Sequence, residues 1–547
     1  MSGYAPLFIG TANMSPEVTA DGAGSKAAEL WRMSKLGLAV PAAFVLPTAL
    51  CGPVNRGDAG ALRALDQGLG AGIAQLEAAT GRGFGGARAP LLVSVRSGAA
   101  RSMPGMLQTV LNVGLNSESV RGLIRLTGNP RLAWDSYRRF VQGYAEVIDG
   151  VPAAAFEERS ARMIEAEGVA GEGELDSEAL ERLTHDFLAV ASDAAGHPVP
   201  EDPMLQLAAA ARAVFRSWDS ARAIEYRRLN ALQDLSGTAV TVQAMVFGNS
   251  GGKSGAGVAF SRNPATGTKE LYVDFLFDAQ GEDVVSGRRM PGNVDLLAAR
   301  LPPVAKELAD GASLLERKLR DMQDIEFTVE NGKLFFLQTR PAKRTPRAAL
   351  RVLIDFVREG LLDPQTALAR AAYIDLEHAY VSRFAERGTS IATAISASPG
   401  VATGRVAFDS VRAKELAARG EPVILVRHDT STEDVGGFAA AAGILTAVGG
   451  RTAHAAVVAR QMGKVCLVGC RDLRIHENQR QADIAGNRIG EGDWLSLDGE
   501  SGEVLLGRLD IVMHPPSDEL SEIATWRHLA ALVPVTVSPD APASRTG

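Results

Sequence analysis

The sequence predicts a multidomain chain of mixed α/β and α+β class, and three observations carry that expectation. The chain has 547 residues, too many for one ordinary domain, so two to four packed units are expected. Strand-like and helix-like runs come in blocks: mixed up to about residue 110, helical from about 116 to 232, and strand-rich from about 237 to 340. Strands and helices then alternate from about 391 to 507, the pattern of a small α/β domain.

Each block has its own signature. Near the N-terminus, "APLLVSVRSGA" reads as a buried strand followed by a polar turn. The helical block carries apolar stripes at spacings of three and four, as in "AWDSYRRFVQGYAEVI", with glycine or proline at the breaks. Strands return in "GTAVTVQAMVF", "GVAFSRN", "ELYVDFLF" and "DIEFTVENGKLFFLQTR", and Asn331-Gly332 in the last accepts the positive φ of a tight hairpin. "TPRAALRVLIDFVREG" predicts a helical connector with Pro346 near its start and Gly360 at its end, and Asp363-Pro364 caps a second helix. The α/β unit that follows contains the strands "PVILVR" and "GILTAVG" and closes on "DWLSLDGESGEVLLG". A last helix, "SDELSEIATWRHLAALV", leads to a strand-like "PVTVS".

Composition narrows the function classes. Charged residues make up 22% of the chain and the net charge is −7, which exerts no general pull toward nucleic acid or an anionic membrane. The opening residues lack a charged segment followed by an apolar run, and no later stretch approaches the roughly 18 apolar residues of a membrane span. A cytoplasmic protein is therefore expected. Cys51, Cys466 and Cys470 cannot make a disulfide framework, and C-x3-C without partner ligands is a poor zinc signal. They read as reduced, mostly buried thiols.

Three constellations could carry chemistry. In "GGRTAHAAVVARQMGK", Thr452 is a good N-cap and places His454 in the first turn of a helix, where free N–H groups and the helix dipole favour anions. The same dipole disfavours a charged ring, so the imidazole stays neutral and nucleophilic near pH 7. Small Ala455, Ala456 and Ala459 would let another surface approach closely. An isolated histidine of this kind is nevertheless more often simply packed. The glycine-rich turn "FGNSGGKSGAG", residues 247–257, lets backbone N–H groups close on phosphate oxygens, with Lys253 adding charge. It does not fit the G-x4-G-K-[ST] pattern, and alone it reads more often as a plain turn. In "MQDIEFTVENGKLFFLQTR", alternation puts Asp324, Glu326 and Thr328 on one face and Gln338 with Arg340 on one face of the partner strand. That set suits Mg²⁺ and nucleotide phosphates, the alternative being a solvated hairpin face. Further cations come from Lys26 in "GAGSKAAEL" and Arg96 in "VSVRSGAARSMPG".

Taken together these segments are not independent. In order, "GSKAA", "LLVSVRSGAARSMPGMLQTVLNVGLN", "WDSYRRF", "TAVTVQAMVFGN", "SGAGVAFSRNPATG", "AQGEDVVSG", "MQDIEFTVENGKLFFLQTR", "SPGVATGRV" and "GGRTAHAAVVARQMGKVCLVGC" resemble the pyruvate, phosphate dikinase family over roughly residues 20–507. The resemblance implies an ATP-grasp nucleotide domain over 1–340 with a helical subdomain at about 116–200, and a helical linker over 341–390. A swivelling α/β phosphohistidine domain would follow over 391–507, and a linker remnant over 508–547. It implies that Lys26, Arg96, Gln338 and Arg340 engage ATP phosphates, that Asp324 and Glu326 hold Mg²⁺, and that the loop with Gly251, Lys253 and Gly255 covers the nucleotide. Gln243 and Glu282 join the nucleotide-binding set, and a monovalent cation is a further candidate cofactor. His454 would be the catalytic phosphoryl carrier, assisted by Arg96 and Arg340.

The implied reaction takes ATP and inorganic phosphate to AMP and pyrophosphate through phosphorylated His454. There are departures. Gly24-Ser25-Lys26-Ala27 has fewer glycines than the family's lysine loop, Lys253 replaces a small polar residue, and Arg451 and Ala453 replace methionine and serine. "LVPVTVSPDAP" resembles only the entry to the family's (β/α)₈ barrel, which takes about 250 residues, and few residues follow it in the sequence. The expectation is an ATP-dependent phosphotransferase whose phosphoryl acceptor is bound elsewhere, on an unknown molecule or a separate acceptor-domain protein. Two alternatives stand beside it: the N-terminal component of a split pyruvate, phosphate dikinase, and a non-catalytic nucleotide-sensing regulator. A homodimer is a further expectation, and neither nucleic acid nor a membrane is an expected partner.

Overall fold

The computed structural model describes residues 4–532, except 102, 104–105, 286–291, 375–379, 431–433, 452–453 and 477–478. In chain order, the elements that matter below begin with β1 (Leu7–Ile9), α1 (Ser25–Lys35), β2 (Ala43–Leu46), β3 (Val93–Ala99), β4 (Thr109–Val113) and β5 (Thr238–Ala244). Next come β6 (Gly255–Phe260), β7 (Tyr272–Phe277), α2 (Pro302–Leu319), β8 (Gln323–Glu330), β9 (Lys333–Pro341) and α3 (Pro346–Arg358). The last third contributes β10 (Thr389–Thr393), β11 (Ile395–Ser398), β12 (Val401–Ala407), β13 (Val423–Arg427), β14 (Gly443–Thr446), α4 (His454–Gln461), β15 (Val465–Val468), β16 (Trp494–Asp498) and β17 (Glu503–Leu506). The architecture is mixed α/β with several sheets, as the block pattern predicts. Two compact units divide the chain. The first comprises the residues up to Ala256 with Phe277–Gly281 and Ile325–Arg340; the second comprises Gly257–Leu276, Glu282–Asp324 and the residues from Pro341 onward.

In the first unit a five-stranded sheet runs in the order β1-β2-β5-β3-β4. Every neighbour pair is antiparallel. β5, "TAVTVQA", is the central strand and is buried along its whole length. Its core partners include Phe44, Leu46, Val93 and Val95 from flanking strands and Leu65, Leu69 and Leu76 from the helix Ala59–Thr80. Between β4 and β5 the chain is helical, as the three-and-four spacing predicts, and "AWDSYRRFVQGY" lies within the helix Pro130–Tyr144. β8 and β9 form the predicted hairpin, with Asn331 and Gly332 both at positive φ, 52° and 81°.

The second unit is built on an eight-stranded sheet in the order β10-β17-β16-β12-β13-β14-β15-β11. Its centre, β12-β13-β14-β15, is parallel, and the flanking pairs are antiparallel. Alternate residues of β13 serve opposite faces. Ile424 and Val426 join a core with Val406, Leu445 and Leu467, whereas Val423 and Leu425 pack with Ile444, Cys466 and Val468. That second core also takes Ala455, Ala456 and Ala459 of α4. These alanines therefore pack the helix onto its own sheet; they are not the open face for another surface that their small size suggested. α3 starts as predicted: Thr345 caps it, its hydroxyl accepting from the Ala348 N–H at 3.1 Å, with Pro346 first in the helix. Among the described residues no helix is long and apolar enough to cross a membrane. Cys51, Cys466 and Cys470 are free and buried, and burial pushes each thiol well above its usual range.

Candidate functional site

Lys26 is the second residue of α1, whose start is pressed onto β3. Gly24 precedes the helix at φ 82°, and a Cβ there would drive into the Gly98 carbonyl. Ser25 Oγ donates to the Ala99 carbonyl at 3.2 Å, a second tie between helix start and strand. Glycine is therefore retained where the backbone approach requires it, although the loop has fewer glycines than the family pattern. Lys26 sits half-buried beside other cations. Burial first, then Arg96 and Arg340, hold its ammonium down at about 8, with Glu326 acting against them.

Arg96 projects from β3. Its Nη2 donates to Gln338 Oε1 at 3.4 Å and lies 3.7 Å from Glu326 Oε2. Arg340 Nη2 lies 4.0 Å from Glu326 Oε1, so two guanidinium groups share one carboxylate. Lys26, Arg96, Glu326, Gln338 and Arg340 thus form one cluster within the first unit, drawn from α1, β3, β8 and β9. Among the described contacts three cations gather about Glu326 in a partly dehydrated place, a set that suits a polyanion such as a nucleotide's phosphates.

Next to this cluster, Arg96 pairs across the sheet with Thr241, and Ser94 with Gln243, so the four share a face. Gln243 is buried and among the described residues its Nε2 finds no hydrogen-bond partner; the buried Thr241 Oγ1 is in the same state. Two unsatisfied polar groups buried on one strand beside the cations call for a hydrogen-bonding ligand or ordered water. Thr241 is missing from the residues picked out of the sequence. Its signal is present in "TVQA", where polar residues two apart interrupt an apolar strand.

The glycine loop is anchored at both ends. Ala279 N–H donates to the Gly248 carbonyl at 3.1 Å and Asp278 N–H to the Ser254 carbonyl at 3.0 Å. From the hairpin tip, Gly332 N–H donates to the Lys253 carbonyl at 2.8 Å and Asn331 N–H to Ser254 Oγ at 3.0 Å. Gly251, at φ 107°, turns the loop, its N–H pointing to Asp278 Oδ1 at 3.4 Å, and Gly255 opens β6. Lys253 is exposed at the tip.

Asp324 and Glu326 stand two residues apart on β8, so alternation sends both to one face. Asp324 is buried and Glu326 half-buried. Two carboxylates are hard oxygen donors of the kind Mg²⁺ takes when nucleotide oxygens and water complete its shell. Among the described residues there is no group of three or more metal-ligating side chains. His454 opens α4 and Glu282 lies in the short helix Gly281–Val285, but their side chains fall outside the described residues, as do Thr452 and Ala453 altogether.

Comparisons with known proteins agree with the order of these parts. The family model described as "Pyruvate phosphate dikinase, AMP/ATP-binding domain" matches residues 63–305 and 295–360. A second, "PEP-utilising enzyme, mobile domain", matches residues 419–502, a span that includes α4. The chain is 43% identical over 524 residues to pyruvate, phosphate dikinase from Clostridium symbiosum, covering 95% of this chain and 60% of that protein. It is 43% identical over 523 residues to the chloroplastic enzyme of Flaveria trinervia, with 95% and 55% covered, and 44% identical over 534 residues to pyruvate, phosphate dikinase 2 of Zea mays, with 95% and 60% covered. The chain thus spans about three-fifths of the length of these curated relatives. Identity sustained at this level along nearly all of its length, with two family models matched in sequence, means that the chain belongs to the pyruvate, phosphate dikinase family.

Proposed function

We propose that the chain is an ATP-dependent phosphotransferase of dikinase type that loads His454 and passes the phosphoryl group to an acceptor bound elsewhere. The observation that carries this reading is the convergence of Lys26, Arg96, Gln338 and Arg340 around Glu326 in a chain whose family pairs a nucleotide domain with a mobile domain. The nucleotide domain is read as an ATP-grasp, and the domain bearing α4 as the swivelling phosphohistidine domain.

In this reading the cations bind the ATP phosphates and orient the β-phosphorus for in-line attack. A neutral His454 imidazole bonds to that phosphorus as its bond to the α-phosphate oxygen breaks, releasing AMP and leaving a pyrophosphorylated histidine. Inorganic phosphate then takes the terminal phosphoryl group, forming pyrophosphate and leaving one phosphoryl on His454. Asp324 and Glu326 would hold Mg²⁺, which when bound neutralises charge on the transferring phosphates. The anchored glycine loop covers them with backbone N–H groups. Gln243 and Thr241 are suited to meet polar edges of the nucleotide. A cytoplasmic setting, with thiols kept reduced, completes the reading.

ATP labelled at the β position tests the proposal. With phosphate present, the protein should form an acid-labile phosphoenzyme together with AMP, and His454→Ala should abolish both. Absence of label with and without phosphate would overturn it, and tight ATP binding without AMP would point to a nucleotide sensor.

A further inference from the structure

We infer that Arg451 is a positioning residue for the loading of His454: its guanidinium, seated on the ring of Tyr272, holds the leading end of α4 against strand β7. The inference rests on the function proposed above and concerns contacts within the second unit alone. Arg451 Cζ lies 4.8 Å from the Tyr272 ring centroid. Tyr272 meets Phe260 of the adjacent strand β6 edge-on, with centroids 6.2 Å apart. Phe260 in turn carries the guanidinium of Arg460, from the last turn of α4, at 5.6 Å. Two arginines that bracket the helix therefore sit on two touching rings from neighbouring strands.

Arg460 makes the arrangement stiff. It is fully buried, and its Nη1 donates to the carbonyls of Ala397 and Arg451, each at 2.8 Å. Arg451 is thus fixed twice, by its carbonyl through Arg460 and by its side chain through Tyr272. Among the described residues the buried Nε of Arg451 finds no hydrogen-bond partner, which gives weight to the ring contact as a hold on the guanidinium. Burial raises the Tyr272 phenol beyond any physiological titration, which makes the contact one between a cation and a neutral ring. Arg451 stands three residues before His454, and phosphoryl transfer depends on where that end of the helix rests, because in-line attack tolerates little displacement.

The test compares five proteins spanning residues 1–547: wild type, Arg451→Ala, Tyr272→Leu, the double variant and Tyr272→Phe. Three quantities are read: the single-turnover rate of phosphoenzyme formation from β-labelled ATP, ATP affinity by calorimetry, and amide hydrogen exchange over residues 454–461. Each single change should slow phosphoenzyme formation about three- to thirty-fold, and the double variant should be no slower than the slower single. Tyr272→Phe, which keeps the ring, should stay within about twofold of wild type, and ATP affinity should not move. Exchange in the first turn of α4 should quicken in the two single variants and the double.

Unchanged rates, losses that multiply in the double variant, or a Tyr272→Phe protein as slow as Tyr272→Leu would overturn the inference. If wild type itself takes up no label, the phosphotransfer reading fails and exchange alone decides. Equal protection in all five proteins then removes the contact, and shared loss in the three variants sustains it.

Discussion

Lys26 is an ammonium group placed where two guanidinium groups already stand. Burial and those neighbours bring its titration down to about 8, so in the free protein it sheds its proton as pH rises through that value. A bound polyanion reverses the balance and calls the proton back. ATP affinity should therefore fall as pH rises above about 8, by up to tenfold per pH unit, and binding at pH 9 should take up a proton. Calorimetry in buffers of different ionisation enthalpy reads both effects; a flat affinity from pH 7 to 9.5 would contradict them. Gly24 gives a second expectation. Gly24→Ala must push the start of α1 off the Gly98 carbonyl at an unfavourable φ, and should cost about 1–3 kcal/mol in urea unfolding together with a loss of ATP affinity. Neither residue's state is legible in "GAGSKAA" alone. The lysine is visible there, but its neighbours arrive from β3, β8 and β9.

Among the elements, α3 is tied to α2 and to the end of β6 by one buried arginine. Arg262 is fully buried, donates to Glu316 at 2.9 Å and Asp355 at 3.2 Å, bonds Glu359 at 2.9 Å, and lies over the Phe356 ring at 4.9 Å. Arg262→Ala takes the cation from buried Glu316, while Asp355 keeps Arg351 and Glu359 keeps Lys269, and should destabilise the protein by about 3–5 kcal/mol, measured by chemical denaturation. Arg262→Met fills the space without charge and still leaves Glu316 unpaired, so it should recover only part of the loss. The sequence shows elements well and their ties poorly. The Asn331-Gly332 turn and the Thr345 cap rest on neighbouring residues and are readable in a short window. The fate of Ala455, Ala456 and Ala459 is not, because an apolar helix face does not name the surface it will cover. Arg262 with Glu316, and Arg451 with Tyr272, are pairs far apart in the chain, and no local spacing encodes them.

At the scale of the whole molecule, the net charge of −7 conceals a site of opposite sign. The cations that define it are scattered from Lys26 to Arg340, and each alone reads as a solvated side chain. Their common order along the chain makes them legible, through the family resemblance. Geometry then adds which of them meet. The chain also spans about three-fifths of its relatives' length, which sets a direct expectation. On the proposed reading, residues 1–547 with ATP and phosphate should form phosphoenzyme and AMP whether or not pyruvate is present. Adding the remaining segment of a relative as a separate protein should start phosphoenolpyruvate formation from the same phosphoenzyme. Phosphoenolpyruvate formed by the chain alone would show that it already holds an acceptor site.

The glycine loop, bonded to residues 278–279 on one side and to the hairpin tip on the other, has a further consequence. Held in this way it meets a ligand as a mould rather than a flap. If the loop takes phosphate as proposed, these anchors lower the ordering cost of binding an anion that matches its contour. On that reading the anchored backbone outline sets the discrimination among phosphate compounds, and lengthening the loop should broaden the range of anions accepted before it weakens the hold on any one.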